Sequence, residues 1–153
     1  FIIRHGKASK DLMPDIKRPL IDKGIKRTEK HAQILKDHHI KPDLIISSPA
    51  VRAFQTSEIL AETLNYDQRN ILINQLFYFY PQEDVLKEIK AIPDDYQTVF
   101  IVGHNPLWTE LADRFSENGL WHLRTSGVMG LEIDTDQWQN FDKAKKTNKI
   151  LIN

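Results

Sequence analysis

The sequence contains no cysteine. It therefore forms no disulfide, offers no thiolate to a metal and carries no cysteine nucleophile, which excludes the cysteine-dependent phosphatases and proteases. Net charge is missing too, since Lys plus Arg and Asp plus Glu are each 21. No global field then draws the chain to nucleic acid or to an anionic membrane, and neither is expected as a partner, although a local positive pocket is compatible with this balance. Long apolar runs are also absent. The longest pure runs, Leu44 to Ile46 and Val99 to Val102, fall far short of the roughly 18 residues that a membrane-spanning helix needs. No signal peptide is recognisable, so the expected compartment is the cytoplasm. Glycine and proline, at 6 and 7, are too sparse for a collagenous or low-complexity chain.

What is present suits one globular unit. A chain of 153 residues, 41% hydrophobic and 27% charged, buries roughly 70% of its unfolded surface around a single core, and residues 1–153 are read as one domain. Short apolar runs at Phe1 to Ile3, Leu44 to Ile46, Ile71 to Ile73 and Val99 to Val102 read as strands, followed by a looser one from Val128 to Ile133. The first four are continuous enough to be covered on both faces. Between them, Ile21, Ile25, Thr28, Ala32, Leu35 and His39 mark one helical face. A second helix is expected from Pro49 to Leu64, a shorter third around Val85 to Ile92, and a fourth on the spacing of Leu107, Trp108, Leu111, Ala112 and Phe115. This alternation predicts a three-layer α/β/α fold, a largely parallel sheet with helices on both faces. The stretch from Glu117 to Gly127 and the tail from Asp136 carry no strong pattern.

Two junctions are built alike. Ser47-Ser48-Pro49 and His104-Asn105-Pro106 each come directly after a strand, and each offers a capping side chain, Ser48 or Asn105, with a proline at the expected first helical position. Both helices should start at the carboxyl edge of the sheet, where α/β proteins bind ligands and free helix N–H groups suit an anion. Arg4-His5-Gly6 leaves the first strand at that edge, with Gly6 expected to allow a sharp exit turn, and Arg52 rides the first turn of the second helix. Three segments thus bring Arg4, Arg52, His5 and His104 together. Two guanidiniums and two imidazoles, with no carboxylate in these motifs, match the needs of a phosphoryl group carrying about two negative charges.

Arg4-His5-Gly6, Ser48-Pro49 with Arg52-Ala53 and Gln55-Thr56, and Gly103-His104-Asn105-Pro106 resemble the histidine phosphatase superfamily, the phosphoglycerate mutase-like family. Asp15, Arg18-Pro19-Leu20 and Gly24 make the chain similar to the phosphohistidine phosphatase SixA branch. The resemblance runs from Phe1 to about Trp138, with Thr125-Ser126 leading into the last strand. It implies a phosphoglycerate mutase-like fold and a phosphatase that needs no cofactor or metal. By the same resemblance, His5 is the nucleophile that becomes phosphorylated, Arg4 and Arg52 hold the phosphoryl oxygens, and His104 is the second imidazole of the phosphate site. The implied substrate is a phosphohistidine on a protein in signal transduction, with a small sugar or nucleotide phosphate as the alternative. Chemically, a neutral imidazole is a good nucleophile near neutral pH and its phosphoramidate is labile to water. His5 must then be unprotonated, whereas His104 serves best as a cation beside the phosphate.

The chain departs from the family at one position. Relatives such as the mutases carry a glutamate proton donor where Gln75 stands, and Gln75 donates no proton to a leaving group. Glu83 and Asp84 are substitutes by position, but acids in a first helical turn commonly complement the dipole. A poor acid suits a leaving group of low pKa, such as imidazole. The short interval from Thr56 to His104 leaves no room for the lid of the mutases, so an open pocket is expected. The rival from another class is a phosphate-binding module without turnover, and the rival enzyme is a mutase.

The remaining groups read as structural. His31, His38, His39 and His122 lack metal-ligand spacing; His39 is expected to end a helical face and the others to lie on the surface. Phe77-Tyr78-Phe79-Tyr80 suits core and edge packing, with a pocket rim or partner surface as the alternative, and Lys143, Lys145, Lys146 and Lys149 suit a solvated surface, with a partner or nucleic-acid contact as the alternative.

Overall fold

Six strands form one sheet in the computed structural model, which describes residues 1–153. In chain order the elements are β1 (Ile2–Arg4), α1 (Asp22–Asp37), β2 (Leu44–Ser47), α2 (Val51–Thr63), β3 (Leu72–Ile73), α3 (Gln82–Lys90), β4 (Val99–Gly103), α4 (Leu107–Phe115), β5 (Val128–Ile133) and β6 (Lys146–Ile152). The strand order is β3-β2-β4-β1-β5-β6. The first four are parallel, whereas β5 pairs antiparallel with β1 and β6 antiparallel with β5.

Alternation along the central strands sorts the core into two halves. Ile3, Ile45, Phe100, Val102 and Val128 face α1 and α2, while Ile2, Leu44, Ile46, Ile101 and Met129 face α3 and α4. Because both faces are covered, the strands read as continuous apolar runs. Each fully buried leucine, such as Leu35 on α1 or Leu111 on α4, contributes about 1.5–3 kcal/mol of burial free energy. No helix is long and apolar enough to cross a membrane.

Helices α1 and α2 end in the same way. His39 and Asn65 adopt left-handed φ of 56°. Ile40 then donates to the Leu35 carbonyl at 3.0 Å, and Tyr66 to that of Ala61 at 2.8 Å. This is the Schellman arrangement, so His39 is the exposed stop of α1 and adds nothing to its buried face. His31, expected on the surface, fills that face instead.

Three other expectations change. The third strand is reduced to Leu72–Ile73 at the sheet edge, where both side chains are exposed, because β3 has a partner on one side only. Helix α2 begins at Val51, two residues beyond Pro49, and the Ser48 hydroxyl accepts from Ala50 N at 3.3 Å, ahead of the helix, while lying 2.7 Å from His104 Nε2; α4 likewise begins one residue beyond Pro106. The lysine-rich tail forms edge strand β6, whose alternating exposure escapes a search for apolar runs. Within it Lys146 lies over the rings of Phe115 and Phe141 at 4.6 and 5.1 Å, while Lys143, Lys145 and Lys149 are exposed.

Candidate active site

Central strands β1 and β4 run side by side and parallel, so the residues leaving each are delivered to the same edge. Arg4 pairs in register with Gly103, and the His5 N–H donates to the Gly103 carbonyl at 3.0 Å. The His5 carbonyl in turn accepts from Ser126 N at 3.1 Å, so the backbone of His5 is held from both sides. Gly6 serves close packing and not a positive-φ turn: a Cβ there would stand 2.9 Å from both Leu20 Cδ2 and Thr28 Oγ1. Its N–H donates to Thr56 Oγ1 at 2.9 Å, and Thr56 donates on to the Arg52 carbonyl at 2.7 Å, which ties the strand exit to α2.

The four side chains expected to meet do so. His5 and His104 face one another with ring centroids 4.8 Å apart. His5 Nδ1 lies 2.6 Å from the Gly6 carbonyl, so Nδ1 carries the proton and Nε2 is left with a free pair toward Arg52 Nε at 3.3 Å. Burial lowers the His5 pKa to about 4; the Gly6 hydrogen bond opposes this, and the charges of Arg52, Arg4 and Arg18 reinforce it. His104 is buried, its Nε2 2.7 Å from Ser48 Oγ and its Nδ1 without a protein partner. Burial first, then His5 and Arg52, push it down to about 2, so in the free protein His104 is neutral and not the expected cation.

The arginines are fixed differently. Arg4 Nη1 donates to the Leu123 carbonyl at 3.0 Å and lies 3.4 Å from His122 Nε2, while its buried Nε has no partner. Arg52, only 2% exposed, is gripped by a carboxylate that the motifs did not include. Its Nη1 donates to the Asp15 carbonyl at 2.6 Å and its Nη2 to Asp15 Oδ2 at 2.8 Å. Asp15 Oδ2 also accepts from the Tyr78 hydroxyl at 2.7 Å, and Arg18 pairs with Oδ1. Burial raises the Asp15 pKa, but the hydrogen bonds from Tyr78, Arg18 and Arg52 prevail and hold it far below the usual carboxylate range.

The substitute acids are elsewhere. Gln75 is exposed and its side chain makes no hydrogen bond, Glu83 pairs with Arg114 at 3.9 Å, and Asp84 with Lys87 at 3.1 Å. The aromatic run divides its duties: Phe77 is buried against Trp108, while Tyr78 and Phe79 set their rings 5.4 and 5.3 Å from His104 and form the rim. Behind His5, buried His31 takes the Ser126 carbonyl at 2.7 Å on Nδ1, and Thr28 Oγ1 meets Ser126 Oγ at 2.9 Å. A cleft of about 490 Å³ at the amino ends of the strands, beside Ile92 and Trp138, holds none of these groups. The carboxyl edge is therefore where charge and imidazole converge, and it is built to receive a compact anion.

Comparison with known proteins agrees with this geometry. Residues 1–75 match the histidine phosphatase superfamily, branch 1. The phosphohistidine phosphatase SixA of Escherichia coli (strain K12) is 29% identical over 108 residues, covering 70% of this chain and 67% of that protein. An uncharacterized protein of Picosynechococcus sp. is 30% identical over 142 residues, covering 86% of this chain and 82% of its own. The solved structure of a protein histidine phosphatase SixA complexed with tungstate superposes with a TM-score of 0.83 at 21% identity, covering 99% of this chain and 94% of that one. That likeness shows the shared phosphoglycerate mutase-like fold.

Proposed function

Because the chain belongs to the histidine phosphatase superfamily and is a phosphatase, we propose that it works through a phosphorylated His5, with a phosphohistidine carried on a protein as its substrate. The observation that carries the reading is the state of His5: Nδ1–H bound to the Gly6 carbonyl, and Nε2 unprotonated, accepting from Arg52 Nε at 3.3 Å and facing the cluster of Arg52 and His104.

The chemistry rests on this geometry. The Nε2 pair of His5 attacks phosphorus, the bond to the leaving group breaks, and the leaving group keeps that electron pair and takes a proton from water. Arg4 and Arg52 hold the non-bridging oxygens, and His104 takes up a proton as the anion settles beside it, which adds a third positive group. Water then attacks phosphorus, the P–N bond breaks, its pair returns to Nε2, and phosphate leaves. Gln75 donates no proton, Glu83 and Asp84 are paired on α3 and α4, and Asp15 is ionised, so no carboxylic acid among these residues protonates a poor leaving group. A phosphohistidine, which expels an imidazole, suits such a site better than an alkyl ester. A mutase, which must return the phosphoryl group to an alkoxide, suits it least.

Rapid quenching with radiolabelled phosphoramidate tests the reading. An acid-labile, alkali-stable label on His5 is expected, lost in His5→Ala with phosphate binding retained on the arginine pair. Near-wild-type turnover by His5→Ala would overturn the mechanism. A rate comparison across phosphohistidine protein, sugar phosphate and nucleotide decides the substrate, and preference for a sugar phosphate would favour the small-molecule alternative.

A further inference from the structure

Four residues other than glycine adopt a left-handed φ: His39, Asn65, Phe79 and Ser126. The first two stop α1 and α2, and Ser126 is buried behind His5 with its N–H on the His5 carbonyl. Phe79, at φ 58°, has no such duty. It follows the short 3₁₀ turn Gln75–Phe77, yet neither its own N–H nor that of Tyr80 makes a backbone hydrogen bond, so no helix stop requires the conformation. A bulky side chain is disfavoured there, because Cβ crowds the carbonyl oxygen that follows. The residue is 59% exposed, so burial offsets little of the strain. Strain of this kind persists where the surroundings fix it, and it gathers at ligand sites.

What fixes Phe79 is the phosphate cluster. Tyr78, the residue before it, donates its hydroxyl to Asp15 Oδ2 at 2.7 Å, and the same oxygen accepts from Arg52 Nη2 at 2.8 Å. The Phe79 ring lies 4.6 Å from that of Tyr78 and 5.3 Å from that of His104, and His104 lies 4.8 Å from His5. A file of rings thus runs from His5 through buried His104 out to exposed Phe79. The sheet lies behind His5, and in-line displacement puts the expelled group on the far side of phosphorus from Nε2, so that group departs toward the mouth where Phe79 stands. We propose that Phe79 is a specificity residue whose ring is the platform for a planar aromatic leaving group, an imidazole or a phenyl ring. This subsite rests on the reading of the His5 cluster as the phosphate site. Selection by ring contact is separate from selection by basicity, since a non-aromatic group gains nothing from the platform whatever its pKa. Offset or edge-on contact between two rings is worth about two- to tenfold in affinity.

The test compares substrates in pairs that share the leaving atom: p-nitrophenyl phosphate against acetyl phosphate for oxygen, and N-phosphoimidazole against phosphoramidate for nitrogen. The readout is the ratio of kcat/KM, aromatic over non-aromatic, which ends at phosphorylation of His5 and is free of the later hydrolysis. Phe79→Gly suits the left-handed φ and removes the ring, and it should lower both ratios about two- to tenfold. Phe79→Tyr, which keeps a ring, should hold them. As inhibitors of wild type, phenylphosphonate should bind more tightly than methylphosphonate by a similar factor, and Phe79→Gly should abolish the difference. The urea midpoint of Phe79→Gly should not fall, because relief of the backbone offsets the lost ring contacts; a fall would make Phe79 a packing element and overturn the account of its strain. Ratios unchanged in Phe79→Gly, ratios lost equally in Phe79→Tyr, or a phenylphosphonate preference that survives removal of the ring would each overturn the platform while leaving the phosphatase mechanism standing. Wild type with no phosphoryl label on His5, but with a phenylphosphonate preference that Phe79→Gly abolishes, would overturn the mechanism and leave the platform standing.

Discussion

Arg52 presents Nη2 to Asp15 Oδ2 at 2.8 Å and Nη1 to the Asp15 carbonyl at 2.6 Å, with its Nε directed at His5 Nε2 at 3.3 Å. The guanidinium is thereby oriented, and its charge is offset by a carboxylate that an incoming phosphate must share it with. Asp15→Asn keeps the carbonyl acceptor and an amide oxygen in place while removing the negative charge. Loss of a like charge a few ångströms from a bound anion is worth about 1 kcal/mol in a half-buried site, near a fivefold change in affinity. Inhibition by vanadate should therefore tighten about fivefold in Asp15→Asn. Unchanged or weaker inhibition would mean that Asp15 acts by holding Arg52 alone.

Gly103 carries a steric demand that reaches both the core and the site. A Cβ at this position would fall 2.4 Å from Trp108 Cζ2, and Trp108 is fully buried between α4 and the sheet. The same residue accepts the His5 N–H and precedes His104. Gly103→Ala should cost about 1–3 kcal/mol by overpacking and reduce turnover by shifting both imidazoles. Trp108→Phe in the Gly103→Ala background, read by urea unfolding, should recover part of the stability; no recovery would place the strain elsewhere.

Strands packed on both faces announce themselves as apolar runs, and helices as spaced stripes, so β1, β2, β4 and the four helices were legible. Strand β6 was not, because one exposed face breaks its run into alternating lysines and apolar residues. The cluster of Arg4, His5, Arg52 and His104 was legible because each follows a strand or opens a helix at the same sheet edge. Asp15 was visible only as part of a family pattern: it meets Arg52 from 37 positions upstream, through a loop with no periodicity to place it. Ser48 read as a helix cap, and its hydroxyl does accept from Ala50 N at 3.3 Å, but a serine before proline carries no signal of the shorter contact it makes to His104 Nε2 at 2.7 Å. His31 was hidden by its residue type, because only the fold shows that a polar ring fills the buried face of α1 and meets Ser126.

The neutral His104 links stability to pH. Burial, with His5 and Arg52 beside it, lowers its pKa to about 2 against 6.5 in the unfolded chain. Below 6.5 the unfolded chain binds a proton here that the folded chain refuses, so the stabilising contribution is present at higher pH and is lost as pH falls through this window. From about pH 6 to about pH 4.5, wild type should lose roughly 1.4 kcal/mol per pH unit more than His104→Asn in urea titrations. Saturating phosphate should shrink the difference, because an anion beside the ring favours the imidazolium. Parallel pH profiles for the two proteins would show that His104 is protonated in the fold.

The missing acid makes the leaving group decisive. With Gln75 exposed and unbonded, Glu83 and Asp84 paired to Arg114 and Lys87, and Asp15 held ionised, the departing atom leaves without the help of a carboxylic acid from these residues. First-turnover phosphorylation of His5 should then fall steeply as leaving-group pKa rises: phosphoramidate and nitrophenyl phosphate react readily, glycerol phosphate poorly. Glu83→Gln and Asp84→Asn should change neither class, since both side chains serve helix cations. Gln75→Glu should speed alkyl esters alone, and only to the extent that its side chain swings from solvent to the leaving oxygen. The measurement must be the first turnover, because a slow common hydrolysis of phosphorylated His5 would level steady-state rates. Similar first-turnover rates for alkyl and aryl phosphates would mean that an acid does reach the leaving group, and loss of the alkyl rate alone in one amide variant would identify it.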